Sequence, residues 1–80
     1  MPGVTHVLLY SRRGCHLCDE AREVIEAARH QAPFEFEEIF IEGNDDLERA
    51  YGVRLPVVLV DGHEQFEYQV DAEAFRALLA

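Results

Sequence analysis

The chain has only two cysteines, Cys15 and Cys18. Two cannot build the several bridges that staple small secreted domains, and a bridge between residues three apart closes too short a loop to restrict the unfolded chain much. The pair is therefore not read as a staple. Lysine is absent, so all seven basic residues are arginine, set against sixteen acidic ones for a formal charge of -9. Phosphate backbones would be repelled, and nucleic acid is excluded as an expected partner. An acidic surface fits a partner with a basic docking face, although solubility alone accounts for it equally well. No apolar run approaches the roughly 18 residues of a membrane span. Met1-Pro2-Gly3-Val4-Thr5 lacks both the basic start and the apolar block of a signal peptide. The expectation is a soluble, cytoplasmic protein without a membrane partner, and in that compartment a bridge between near neighbours is usually transient and catalytic. Repeats, linkers and low-complexity segments are missing too, so residues 1–80 are expected to form one domain.

What is present alternates between strand and helix patterns. Val4 to Tyr10 is a nearly continuous apolar run rich in β-formers, as expected of a strand buried on both faces of a helix-covered sheet. From Cys15 onward, Leu17, Ala21, Val24, Ile25 and Ala28 form one apolar stripe, which predicts an amphipathic helix ended by Pro33. Phe34-Glu35-Phe36-Glu37 alternates with period two, Glu38 breaks the pattern, and Ile39-Phe40-Ile41 resumes the apolar character of an edge strand. Gly43-Asn44-Asp45-Asp46 then turns into a short helix with Leu47, Ala50 and Tyr51 on its apolar side and Gly52 as an expected left-handed stop. Val57 to Val60 reads as a second buried strand, Asp61-Gly62 as a hairpin turn, and His63 to Tyr68 as the returning strand with Phe66 and Tyr68 on one face. Asp71 caps a last helix that carries Ala74, Phe75, Leu78 and Leu79 inward. The predicted class is α/β in the order β-α-β-α-β-β-α. A right-handed parallel crossover followed by a hairpin gives a four-stranded mixed sheet with helices on both faces.

Both cysteines fall in Arg12-Arg13-Gly14-Cys15-His16-Leu17-Cys18, at the turn between the first strand and the first helix. Disulfide exchange needs a thiolate that attacks, a second thiol that resolves the mixed disulfide, and room for the substrate. Cys15 is the expected attacker, because the dipole and free N–H groups of a helix start favour negative charge on a sulfur placed there. Cys18, one turn deeper among apolar positions, is the expected resolving thiol. Arg12 and Arg13 are the only adjacent basic residues, and they either favour the thiolate or hold an anionic substrate, or else face solvent and balance nearby glutamates. Gly14 is expected to let the backbone turn tightly enough to expose Cys15. His16 has a tuning role at most, or fills the turn as an exposed residue.

These stretches resemble the glutaredoxin-like family of the thioredoxin superfamily. The likeness runs through Val7-Leu8-Leu9-Tyr10-Ser11, Cys15-His16-Leu17-Cys18, Tyr51-Gly52-Val53-Arg54-Leu55-Pro56-Val57 and Val60-Asp61-Gly62. The C-x-L-C motif is similar to that of small bacterial members. The resemblance implies a thioredoxin-like fold of glutaredoxin type and thiol-disulfide oxidoreductase activity on protein or small-molecule disulfides. It also implies a monomer without bound cofactor, with glutathione or a thioredoxin-reductase-type flavoenzyme as electron donor. Pro56, which composition alone would mark as the edge of a strand, is implied to be a cis-proline beside the cysteines, with the backbone of Leu55 pairing with substrate. Arg12, Arg13, Gly14, His16, Leu17, Leu55 and Pro56 are thus the expected substrate-binding residues.

The chain also departs from that pattern. His16-Leu17 stands where glutaredoxins commonly have Pro-Tyr, and Arg54-Leu55-Pro56 stands for Thr-Val-Pro. Glu67-Tyr68 replaces a Gly-Gly pair that grips glutathione, although Asp71 is kept for the helix start. The chain has no tryptophan and so lacks the Trp-Cys-Gly-Pro-Cys signature of thioredoxin itself. Two other readings are carried forward. One is a binding module that docks a partner through the Leu55-Pro56 face. The other is a zinc or iron–sulfur site shared across a dimer, since two thiolates supply half of a closed zinc site and His6, His30 and His63 have no ligand spacing.

Overall fold

A computed structural model describes residues 4–79; Met1, Pro2, Gly3 and Ala80 lie outside the described residues, and with them part of the amino-terminal segment read above. Four strands, β1 (His6–Ser11), β2 (Glu35–Phe40), β3 (Val57–Val60) and β4 (His63–Glu67), alternate with helices α1 (His16–Arg29), α2 (Asp45–Tyr51) and α3 (Ala72–Leu79) in the expected order. The strands lie in the sheet as β2-β1-β3-β4. β1 and β2 run parallel, while β1 with β3 and β3 with β4 run antiparallel. This is a thioredoxin-like α/β fold with a mixed sheet.

Alternation along β1 decides which helix covers which face. Val7 and Leu9 point to one side, where they join Val58 and Val60 of β3, Ala21, Ile25 and Ala28 of α1, and Phe34 and Phe75 in one buried cluster. The rings of Phe34 and Phe75 meet edge to face at 5.8 Å, which ties the start of β2 to α3. Tyr10 points to the other side and stacks on Tyr51 of α2, with ring centroids 4.3 Å apart. Helices therefore cover both faces. The α2 side is the thinner layer, because none of the residues of α2 is fully buried.

Local chemistry sets the helix ends. The side chain of Asn44 accepts the Leu47 N–H at 3.1 Å to start α2, and that of Asp71 accepts the Ala74 N–H at 2.8 Å to start α3. Gly52 departs from expectation: its φ is -56°, right-handed, and its N–H continues the helix to the Glu48 carbonyl at 2.8 Å. A Cβ there would come within 2.5 Å of that carbonyl oxygen, so the glycine answers close approach and not a left-handed stop.

Apolar assignments also change at Leu17, Ala50, Tyr68, Ala74 and Leu78, all of which are exposed. Leu17 is exposed, because the core-facing position in the first turn of α1 is taken by the fully buried Cys18. Ala74 and Leu78 are exposed as well, since α3 turns only the Phe75 and Leu79 line toward the core. Tyr68 does not continue the face of Phe66. The pairing of β3 with β4 shifts between Val58 and Leu59, β4 ends at Glu67, and Tyr68 takes φ +69°, which swings it out of the strand alternation.

Candidate functional site

β1 delivers the chain to the site. Its last residue, Ser11, is fully buried, and the backbone then reverses through Arg12, Arg13 and Gly14, closed by the Cys15 N–H donating to the Arg12 carbonyl at 3.3 Å. Gly14 sits at φ +75°, a conformation that side-chain-bearing residues rarely adopt, so the sharpness of the turn depends on it. Cys15 is the N-cap of α1, with extended backbone, and its sulfur accepts the Cys18 N–H at 3.1 Å. A cysteine sulfur here takes the place usually held by a capping oxygen.

Cys15 and Cys18 are joined as a disulfide, with Cα atoms 5.2 Å apart. Their exposures differ: Cys15 is half-buried, whereas Cys18 is 0% exposed. An external thiolate can therefore reach only the Cys15 end of the bond.

The register of the sheet brings the proline segment to the same end. Val57 pairs with Tyr10, so Leu55 and Pro56, which precede it, lie beside the point where β1 becomes the cysteine turn. The Leu55–Pro56 peptide is cis, Pro56 is buried and Leu55 is half-buried. The Tyr68 N–H donates to the Pro56 carbonyl at 2.9 Å and lies 3.3 Å from that of Arg54. The backbone N–H and C=O of Leu55, between them, have no hydrogen-bond partner among the described residues.

The two arginines of the turn are both engaged with carboxylates. Arg12 is half-buried and forks onto Glu48 of α2, with Nη2 to Oε1 at 2.6 Å and Nη1 to Oε2 at 3.3 Å. Arg13 donates its backbone N–H to Glu42 at 3.2 Å, and its guanidinium lies 4.7 Å over the Phe40 ring. His16 is open to solvent and contacts Glu20 at 2.9 Å.

A network just behind the turn is not apparent from the sequence. Glu38 accepts two bonds from Arg22 of α1, at 2.7 and 2.6 Å, and a third from the buried Ser11 hydroxyl at 2.6 Å. The Arg22 hydrogen bonds hold the Glu38 carboxyl below its ordinary range; burial opposes them and Ser11 assists them. Glu38 is the residue that interrupts the alternation of β2, and that interruption is the one signal the sequence carried. Elsewhere, His6 contacts Glu35 at 2.8 Å, and no group of three or more metal-ligating side chains occurs among the described residues. Nor is any helix among them long and apolar enough to cross a membrane.

Residues 6–80 match the family model described as Glutaredoxin-like domain (DUF836). The solution NMR structure of a Nitrosomonas europaea protein superposes with a TM-score of 0.83 at 32% identity, covering 100% of this chain and 96% of the other. The X-ray structure of an X. campestris protein gives a TM-score of 0.76 at 42% identity over 91% of this chain and 93% of the other. A thioredoxin mutant from Halobacterium salinarum, 24% identical over 96% of this chain and 73% of its own, shares the fold with a TM-score of 0.69. Fold and cysteine pair together support an enzyme of the redox type.

Proposed function

The chain belongs to the glutaredoxin-like domain family, and from that premise we propose that it is a thiol-disulfide oxidoreductase in which Cys15 attacks and Cys18 resolves. In the reduced protein the Cys15 thiolate, stabilised by the start of α1, attacks one sulfur of a substrate disulfide. A mixed disulfide forms, and the first substrate sulfur leaves as a thiolate that takes up a proton. Cys18, having lost its proton, attacks the Cys15 sulfur, closes the Cys15–Cys18 bond and releases the second substrate thiol. Two electrons pass to the substrate. A thiol reductant, either glutathione or the dithiol of a thioredoxin-reductase-type flavoenzyme, returns the pair to the reduced state.

The observation that carries this reading is the unequal burial of the two sulfurs at a helix start. A binding module needs no second thiol, and a staple needs no exposed one. Gly14 supports the reading by setting the turn, and Leu55 by leaving a free N–H and C=O beside the pair, where an extended substrate can bond. Arg12 and Arg13 are positioning residues, since their charges are matched by Glu48 and Glu42. His16 and Leu17, both exposed, line the approach.

The test is reduction of a small disulfide supplied either with glutathione and glutathione reductase or with NADPH and thioredoxin reductase. Turnover in at least one system, lost in Cys15→Ser, is expected. Turnover that survives Cys15→Ser in both systems contradicts the assignment.

A further inference from the structure

A groove of about 600 Å³ begins at Leu17, between the two cysteines, and runs along α1 to Val24, walled on its other side by the connection from β4 to α3. Resting on the exchange reading, we infer that the physiological substrate is a protein disulfide flanked by arginine or lysine, whose extended segment lies in this groove.

The chemistry of the walls selects that partner. Ala21, Val24, Phe66 and Val70 supply an apolar floor, and Glu20, Glu67 and Asp71 supply charge along the rim. No lysine, arginine or histidine among the described residues lines the groove. Glu67 meets Arg54 at 3.3 Å, but that guanidinium is shared with Glu64 at 2.9 Å, and among the described residues Glu20 meets His16 alone. Among the described residues, Arg54, divided between Glu64 and Glu67, is thus the one arginine paired with a rim carboxylate. An apolar floor with a carboxylate rim suits arginine and lysine, whose aliphatic stems lie on apolar surface while the charged heads reach for anions. Glutathione suits it poorly, because two carboxylates against one ammonium leave it anionic at neutral pH.

Length admits a short extended segment. The seven helical steps from Leu17 to Val24 span about 10 Å at roughly 1.5 Å each, the length of about three extended residues. At the cysteine end, the unpartnered N–H and C=O of Leu55 are free to continue the pairing of such a chain.

The test follows oxidation of the reduced protein by three probes: neutral bis(2-hydroxyethyl) disulfide, and two peptides with the same disulfide flanked by arginines or by glutamates. At low salt the arginine peptide is expected to react about tenfold faster than the glutamate peptide. The ratio should shrink to within about threefold in roughly 0.5 M salt, where exposed charges are screened within a few ångströms. The triple variant Glu20→Gln, Glu67→Gln, Asp71→Asn should lose most of the ratio, with asparagine preserving the α3 cap. The variant Glu26→Gln, Glu37→Gln, Asp45→Asn removes as much charge away from the groove and should keep it. Equal rates for the two peptides overturn the inference, as does equal loss of the ratio in both variants. Failure of the neutral probe to oxidise the protein overturns the oxidoreductase reading itself.

Discussion

The two flanks of the cysteine turn carry charge in different ways. Toward β2 and α2 each carboxylate near the turn has a cation: Glu48 takes Arg12, Glu42 takes Arg13, and Glu38 takes Arg22 together with Ser11. Toward α3 the rim carboxylates Glu20, Glu67 and Asp71 face a groove lined by no basic residue among those described. On the first flank charge is consumed in tying β1, α1, β2 and α2 around the turn, which fixes where Cys15 stands. On the second, Glu67 shares Arg54 with Glu64, Glu20 meets His16 and Asp71 caps α3, so the rim keeps acceptor capacity that a basic partner can use. A formal charge of -9 would not by itself tell structural carboxylates from recognition carboxylates; their partners do.

The largest expected effect lies between the flanks. Cys15→Ser should bring disulfide reduction down to the buffer level, measured by NADPH consumption in the coupled assay. The next tests the structural flank. Glu38→Gln should cost about 2 kcal/mol, because it leaves Arg22 and a buried hydroxyl without their charged acceptor. For a domain of this size that is a fall of roughly 8–16 °C in Tm by calorimetry. The same variant should leave the peptide charge preference intact, and loss of that preference would erase the contrast between the flanks.

Acid should act on the same carboxylate. Its folded pKa lies below the unfolded one, so its contribution is fully present above the unfolded carboxylate pKa and is lost as pH falls through the folded value. Melting temperatures of the parent protein should therefore drop more steeply below about pH 4 than those of Glu38→Gln. The smallest effect is expected of Arg12→Ala. Loss of its partly exposed pair with Glu48 should lower stability only slightly by denaturant titration, less than Glu38→Gln does. With that charge already matched, alkylation of Cys15 by iodoacetamide should change by no more than about threefold.

Much of this architecture was legible in the sequence because it rests on local rules. Period-two and helical spacing gave all seven elements, Asp61-Gly62 gave the hairpin, and a glycine before the cysteine gave the positive φ of the turn. What was not legible depends on distance. Leu17 has the spacing of a core residue, yet the packed helix turns Cys18, Ala21, Ile25 and Ala28 inward and leaves Leu17 exposed. The alternation of β4 predicted a shared face for Phe66 and Tyr68, and the positive φ of Tyr68, just past the end of the strand, undid it. Arg22 and Glu38, sixteen positions apart, each read as surface charge until the parallel crossover put them on the same face. The groove is likewise a product of packing, since its walls come from the beginning of one helix and the connection into another.

The central claim is that an external thiol or disulfide reacts at Cys15 and that Cys18 completes the exchange from within. Incubating reduced Cys18→Ser with a disulfide substrate, followed by peptide mapping with mass spectrometry, tests it most directly. The account predicts a stable mixed disulfide on Cys15, and almost none on Cys18 in the reciprocal Cys15→Ser protein. An adduct that forms as readily on Cys18, or fails to form on Cys15 at all, would contradict it.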